Sequence, residues 1–169
     1  MFELSVLGID PGTAAVGVAV VEESGRRQSV KWAQTVRTQA STSGAERLRY
    51  LYRTLCDAIV VHRPQVMALE SVMWGQNRQS AMHVARATGV AMLAAAEAGL
   101  PVEEYAPLQV KMAVTGVGNA TKDAVRRALI RVIGVQGVPD EPDAADAVAT
   151  AVCHLHHART RGTRAGAVR

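Results

Sequence analysis

The sequence is poor in aromatic residues, with one Phe, two Trp and three Tyr in 169 residues. Ala and Val must therefore supply the bulk of any core. It contains no uninterrupted apolar run of the length a membrane-spanning helix requires. The opening MFELSV has neither the basic region nor the long apolar stretch of a secretory signal. The expectation is a cytoplasmic protein with no membrane partner. Cysteine is scarce too: Cys56 and Cys153 both fall inside predicted helices and read as buried thiols in a reducing compartment, not as a disulfide framework. There is no internal repeat and no linker-like segment. The length suits one domain with a full core and is too short for two ordinary ones.

What is present in excess is charge, unevenly placed. Nineteen Lys and Arg against fifteen Asp and Glu give a net charge of +4 and a pI near 9.5. That balance is compatible with a polyanionic partner without requiring one. Arg159, Arg161, Arg164 and Arg169 crowd the last eleven residues, whereas Asp140, Glu141, Asp143 and Asp146 crowd a short run before the final helix. A basic chain that gathers acids in one place has a use for them there.

The order of elements reads β-β-β-α-β-α-β-α-α-α. Val6 to Ile9 is a short apolar strand, Val16 to Glu22 a second and Val30 to Thr38 a third, joined by connections short enough for an antiparallel meander. Helical spacing of Leu48, Leu51, Tyr52, Leu55 and Ile59 predicts a helix from about Ala45 to His62, ended by Pro64. Val66 to Ser71 is a fourth strand, Arg78 to Ala98 a long helix and Val102 to Tyr105 a fifth strand. Pro107 opens the next helix, Thr121 caps one from Lys122 to Ile133, and the last runs from near Pro142 to about Arg159. Crossover helices imply that the later strands lie parallel to the first. The fold class is α/β: a five-stranded mixed sheet, antiparallel meander then parallel strands, flanked by helices. The tail from Thr160 to Arg169 is small, polar and basic, and is expected to be disordered.

Four acids stand apart. Asp10 ends the first strand and Glu70 the fourth; if these strands pair in parallel, their carboxyl ends lie side by side, where open α/β sheets bind ligands. Asp143 and Asp146 are three apart and share one helix face, with Val148, Val152 and Leu155 facing the core. Taken alone, acids at a helix start read first as partners of the helix dipole. Together, carboxylates without an interleaved cation repel one another until a divalent ion neutralises them. All-oxygen ligands suit Mg²⁺ or Mn²⁺ and not zinc, and two such ions about 4 Å apart support phosphodiester hydrolysis.

The segments GIDPGT, ALES, QVKMAVTGVGNATK and DAADAVATAVCHLHH resemble the four conserved blocks of the RuvC Holliday junction resolvases, in that family's order and spacing from about Leu7 to His157. The resemblance implies a ribonuclease H-like fold, residues 1–159 forming the single nuclease domain and 160–169 the tail. It implies metal ligation by Asp10, Glu70, Asp143 and Asp146, basic residues near the scissile phosphate at Lys111 and Lys122, and two Mg²⁺ or Mn²⁺ ions per active site. It further implies a homodimer that grips a four-way DNA junction, nicks two strands of like polarity symmetrically to leave 5′-phosphate and 3′-hydroxyl ends, and works beside the RuvAB branch-migration complex in recombination and repair.

One place departs from the family pattern: ESVMWGQN puts Met73 where many members carry Phe, with Trp74 next to it. Met73 as an apolar wedge or Trp74 as a stacking platform are the readings that contact DNA; packing within the loop is the other. Asn77, Arg78 and Gln79 follow as polar or phosphate contacts. Gly116 and Gly118 either let the backbone approach a ligand or merely shape a loop. CHLHH, from Cys153 to His157, invites zinc, but one helical segment presents too few ligands on one face; His154 instead reads as a proton-transfer or phosphate-contact residue. Ala81, Ala85 and Gly89 form a small-residue strip suited to close helix approach, and this helix is the expected dimer contact. Rival readings are an actin-like ATPase sharing the GIDPGT turn, which needs a second lobe for which there is no room; a non-catalytic junction-binding protein; and a ribonuclease H-like nuclease acting on structured RNA.

Overall fold

The computed structural model describes residues 3–12, 14–39, 41–71 and 78–166, with the backbone alone for 78–80 and 161–166. Five strands form one sheet: β1 (Glu3–Pro11), β2 (Ala15–Ser24), β3 (Arg27–Arg37), β4 (Val66–Glu70) and β5 (Val102–Tyr105). Their order is β3-β2-β1-β4-β5. β1 pairs antiparallel with β2, β2 antiparallel with β3, β1 parallel with β4, and β4 parallel with β5. The expected meander followed by parallel strands is what the chain forms, with β3 beginning three residues earlier than the alternation predicts.

Helices cover both faces. α1 (Gly44–His62) and α2 (Arg78–Glu97) lie on one side; α3 (Pro107–Thr115), α4 (Lys122–Ala128) and α5 (Pro142–Gly166) lie on the other. Strand alternation divides the core accordingly. Leu7 and Ile9 of β1, Val18 and Val20 of β2 and Met67 and Leu69 of β4 pack toward α1 and α2. Val6, Ala19, Val21, Val66 and Ala68 face α5, which buries Ala147, Val148, Ala151, Val152 and Leu155 against them. Burying each of the larger side chains contributes about 1.5–3 kcal/mol.

Local signals explain the helix ends. Ser43 caps α1, its hydroxyl accepting from the Glu46 N–H, and Arg63 closes it in the left-handed conformation before Pro64. Thr121 caps α4 as expected. The helix predicted to run unbroken from Lys122 to Ile133 instead widens after Ala128 into a π-helical turn, Leu129–Ile133, closed by Gly134 at φ 77°. That turn keeps Leu129 fully buried while Val132 faces solvent. The last helix continues past Arg159, where the sequence predicts a tail to begin, and its backbone stays helical to Gly166. In α2 the small-residue strip divides: Ala81 faces inward, whereas Ala85 and Gly89 face outward. Both cysteines are free thiols, Cys153 buried and Cys56 half-buried. Among the described residues no helix is long and apolar enough to cross a membrane.

Candidate active site

The parallel register of β1 and β4 ends with Ile9 opposite Leu69, so the next residue of each strand, Asp10 and Glu70, emerges at the same sheet edge on the α5 face. Opposite Asp10 on the other side stands Gly17 of β2. A Cβ on Gly17 would lie 1.8 Å from the Asp143 carbonyl oxygen, and one on Gly8 would lie 2.1 Å from that of Ala147. These two glycines let α5 rest with its main chain directly on the strands. That contact sets Asp143 and Asp146, one turn apart on α5, over Asp10.

Carboxylate oxygens of Asp10, Asp143 and Asp146 lie within 4.8 Å of one another. Glu70 is outside that mutual radius but lines the same cleft of about 210 Å³ with Asp10, Lys111, Lys122 and Asp146. The four acids of the sequence reading are thus brought together, and so are both lysines. Lys122 is ion-paired with Asp146. Arg37, at the end of β3, donates from Nη2 to Asp143 Oδ2 at 3.0 Å. This arginine is absent from the sequence reading, since a lone basic residue at a strand end carries no signal of a partner 106 positions away.

The electrostatics are those of a site short of positive charge. Burial pushes the Asp10 carboxyl up to about 6, with the charges of Asp146 and Asp143 adding to the rise and Lys122 opposing it. Burial also drives Glu70 up to about 8, reinforced by Asp10 and Asp146 and resisted by Lys122 and Lys111. Lys122 is raised above its ordinary value: burial disfavours its charge, but the Asp146 hydrogen bond and the surrounding carboxylates outweigh that. Behind Glu70, burial and the Glu70 charge lift the Cys153 thiol to about 12, which leaves it a neutral packing group and no nucleophile. Acids that resist ionisation in one cleft, with oxygen donors only, fit a hard divalent cation. Asp10, Asp143 and Asp146 are the ligand set the geometry offers, with Glu70 across the cleft.

Other expected site features resolve differently. His154 does not face the cleft: it is buried, its Nδ1 2.8 Å from the Tyr105 hydroxyl. In the rest of CHLHH, the Cys153 thiol points to the Gln109 carbonyl, His156 Nδ1 lies 3.1 Å from the Ala113 carbonyl, and His157 stacks on Tyr105. Helix packing therefore orients the whole segment inward. Gly116 caps α3 at φ 74° and Gly118 packs under Leu108, so both serve the loop. Met73, Trp74 and Asn77 lie outside the described residues, as does the Arg78 side chain; the Arg78 backbone opens α2.

A mixed five-stranded sheet with acids gathered where β1 and β4 end, completed by a helix laid across β1 and β2, defines the ribonuclease H-like class. Within it, the family model for crossover junction endodeoxyribonuclease RuvC matches residues 6–154. The chain belongs to this RuvC family. It is 43% identical over 152 residues to the crossover junction endodeoxyribonuclease RuvC of Pelotomaculum thermopropionicum, covering 90% of this chain and 93% of that one. It is similar in structure to T. thermophilus RuvC in complex with Holliday junction substrate, at 31% identity and a TM-score of 0.84 over 93% of this chain and 96% of that one. The yeast mitochondrial Holliday junction resolvase Ydc2 shares the fold at 13% identity, with a TM-score of 0.66 over 89% and 77% of the two chains.

Proposed function

We propose that the protein is a structure-selective endonuclease that resolves four-way DNA junctions by paired symmetric nicks in strands of like polarity. The observation that carries this reading is the cleft itself: three carboxylates within 4.8 Å and Glu70, walled by two lysines, in a chain of the RuvC family. Asp10, Glu70, Asp143 and Asp146 would hold two Mg²⁺ or Mn²⁺ ions. When bound, such ions activate water and stabilise the leaving oxygen of a phosphodiester. Around them the chain's own groups act by position. Lys111 and Lys122 face the phosphate and offset the charge that grows on it. Lys122 is ion-paired with Asp146 and would turn from it to the substrate phosphate. Arg37 balances the charge of Asp143. The products are 5′-phosphate and 3′-hydroxyl ends.

The working form in our reading is a cytoplasmic homodimer that acts beside the RuvAB branch-migration complex. Support for the dimer comes from α2, where Met82, Met92 and Leu93 are 55%, 40% and 52% exposed and flank Ala85 and Gly89 on an outward face, with Arg86 at its α1-facing edge. Met73, Trp74, Asn77 and Arg78 complete the DNA-contacting loop that leads into α2. An actin-like ATPase is disfavoured by the match of residues 6–154 to the RuvC family, and a non-catalytic binder by the presence of all four acids.

The decisive test incubates the protein with a synthetic four-way junction, a linear duplex and an RNA hairpin in Mg²⁺, Mn²⁺ or EDTA. Paired symmetric nicks in the junction alone, lost in EDTA, are expected. Cleavage of the RNA hairpin in preference would replace this reading with a structured-RNA nuclease.

A further inference from the structure

On the opposite face of the sheet from the acids, a small cavity of about 80 Å³ opens between the β1–β2 turn and the helices α1 and α2. Its floor is apolar, made by Val16, Val36, Leu48 and Leu51. Its rim carries two cations, Arg47 and Arg86, with the His83 imidazole beside them. Among the described residues no acidic side chain lines it, and neither arginine is ion-paired. The one acid in the first turn of α1, Glu46, is engaged by the Ser43 hydroxyl at 3.0 Å.

Two backbone features add to this charge. Gly44, the first residue of the 19-residue helix α1, lines the cavity, so the positive end of the helix dipole meets the two arginines. Gly12, on the other wall, sits two residues beyond Asp10 and hydrogen-bonds to its carbonyl at 3.1 Å. The cavity and the carboxylate cleft therefore flank the same turn, one on each face of the sheet. Unpaired arginines beside a helix start, over an opening far below the 300 Å³ or more of an organic-ligand pocket, call for a small anion.

We propose that this pocket binds one backbone phosphate of the DNA, separate from the scissile phosphate, as a strand crosses the β1–β2 turn. This rests on the junction-nuclease reading and adds a positioning contact to it: Arg47 and Arg86 grip the phosphate, the α1 start faces it, and the attached turn holds Asp10 in register with the strand.

The test measures junction affinity by fluorescence anisotropy from low to moderate salt, in EDTA so that the DNA stays uncut. Arg47→Gln/Arg86→Gln is expected to bind about ten-fold more weakly than the unaltered protein. Its plot of log affinity against log salt should be flatter by about 0.9 for each pocket engaged. Arg47→Lys/Arg86→Lys should stay close to the unaltered protein, because charge is kept. Unchanged affinity and slope in the Gln variant, or equal loss in the Lys variant, overturns the proposal. Arg86 is exposed, so the single Arg86→Gln supplies the same reading should the double variant fold poorly. Titration with inorganic phosphate separates a free-anion site: saturable phosphate binding in the pocket with junction affinity unaffected by the Gln substitutions also overturns it. Failure of the nuclease reading itself is visible elsewhere, in the unaltered protein neither binding nor nicking the junction.

Discussion

Replacing Glu70 by Gln should stabilise the metal-free protein while destroying its purpose. In the folded chain the Glu70 carboxyl is raised from 4.5 to about 8 by burial and by Asp10 and Asp146. A carboxyl whose folded value lies above its unfolded one binds more protons folded than unfolded across that window, so stability falls as pH rises from about 4.5 to about 8 and is level on either side. At about 1.36 kcal/mol per unit the nominal loss is near 5 kcal/mol. Water at the cleft mouth and the repulsion shared with Asp10 reduce this to on the order of 2 kcal/mol. For a chain of this length that is roughly 5 °C in melting temperature. The assay is thermal unfolding of the unaltered protein and Glu70→Gln at pH 4.5 to 9 in EDTA. The two curves should coincide near pH 4.5 and separate steadily, with Glu70→Gln about 5 °C higher at pH 8. Millimolar Mg²⁺ should raise the unaltered protein at pH 8 and close the gap. Equal melting temperatures at pH 8, or a gap that is widest at low pH, would refute the assignment of Glu70 as a carboxylate held against its ionisation.

The remaining predictions concern the neighbours. Asp10→Asn and Asp146→Asn should each abolish junction nicking while leaving gel-shift binding largely intact; cutting at the full rate would remove them from the ligand set. Gly17→Ala should cost about 3 kcal/mol or more and reduce cleavage, because its Cβ meets the Asp143 carbonyl; an unfolding curve like that of the unaltered protein would show that α5 does not rest there. Arg37→Ala should change stability by less than about 1 kcal/mol yet lower the Mg²⁺ concentration for half-maximal rate, since a cation competing for Asp143 is gone; a higher requirement would contradict this. Trp74→Ala should impair junction opening, followed by 2-aminopurine fluorescence, more than Trp32→Ala, whose ring stacks on His62 at 5.6 Å; equal effects would deny Trp74 a special role.

The parts of the site written as local contrast were legible in the sequence. An acid closing an apolar strand is visible in ALES and in GIDPGT, and the crossover rule makes the two strand ends neighbours, as the register of β1 and β4 has them. Two acids three apart on a helix with an apolar stripe were equally plain. Contacts that depend on distant packing were not. Arg37 reads like any edge-strand cation until β3 and the start of α5 are side by side. His154 reads as a site residue because it shares a helix with Asp143 and Asp146, while its partner, Tyr105, lies 49 positions away. The π-helical turn after Ala128 was invisible because the apolar spacing of Leu129 and Ile133 suits a regular helix as well. Gly8 and Gly17 did carry a signal, each an interruption in an apolar strand, whose meaning emerges only once a helix lies across them.

Those two glycines also decide what kind of change the active site tolerates. Because main chain rests on main chain at Gly8 and Gly17, the height of Asp143 and Asp146 above Asp10 is gauged by two covalent backbones and not by the volume of intervening side chains. Exchanging alanine for valine beneath the rest of α5 should then cost stability by overpacking before it alters the spacing of the carboxylates. Two missing methyl groups set that spacing, and the surrounding interior sets how firmly it is held.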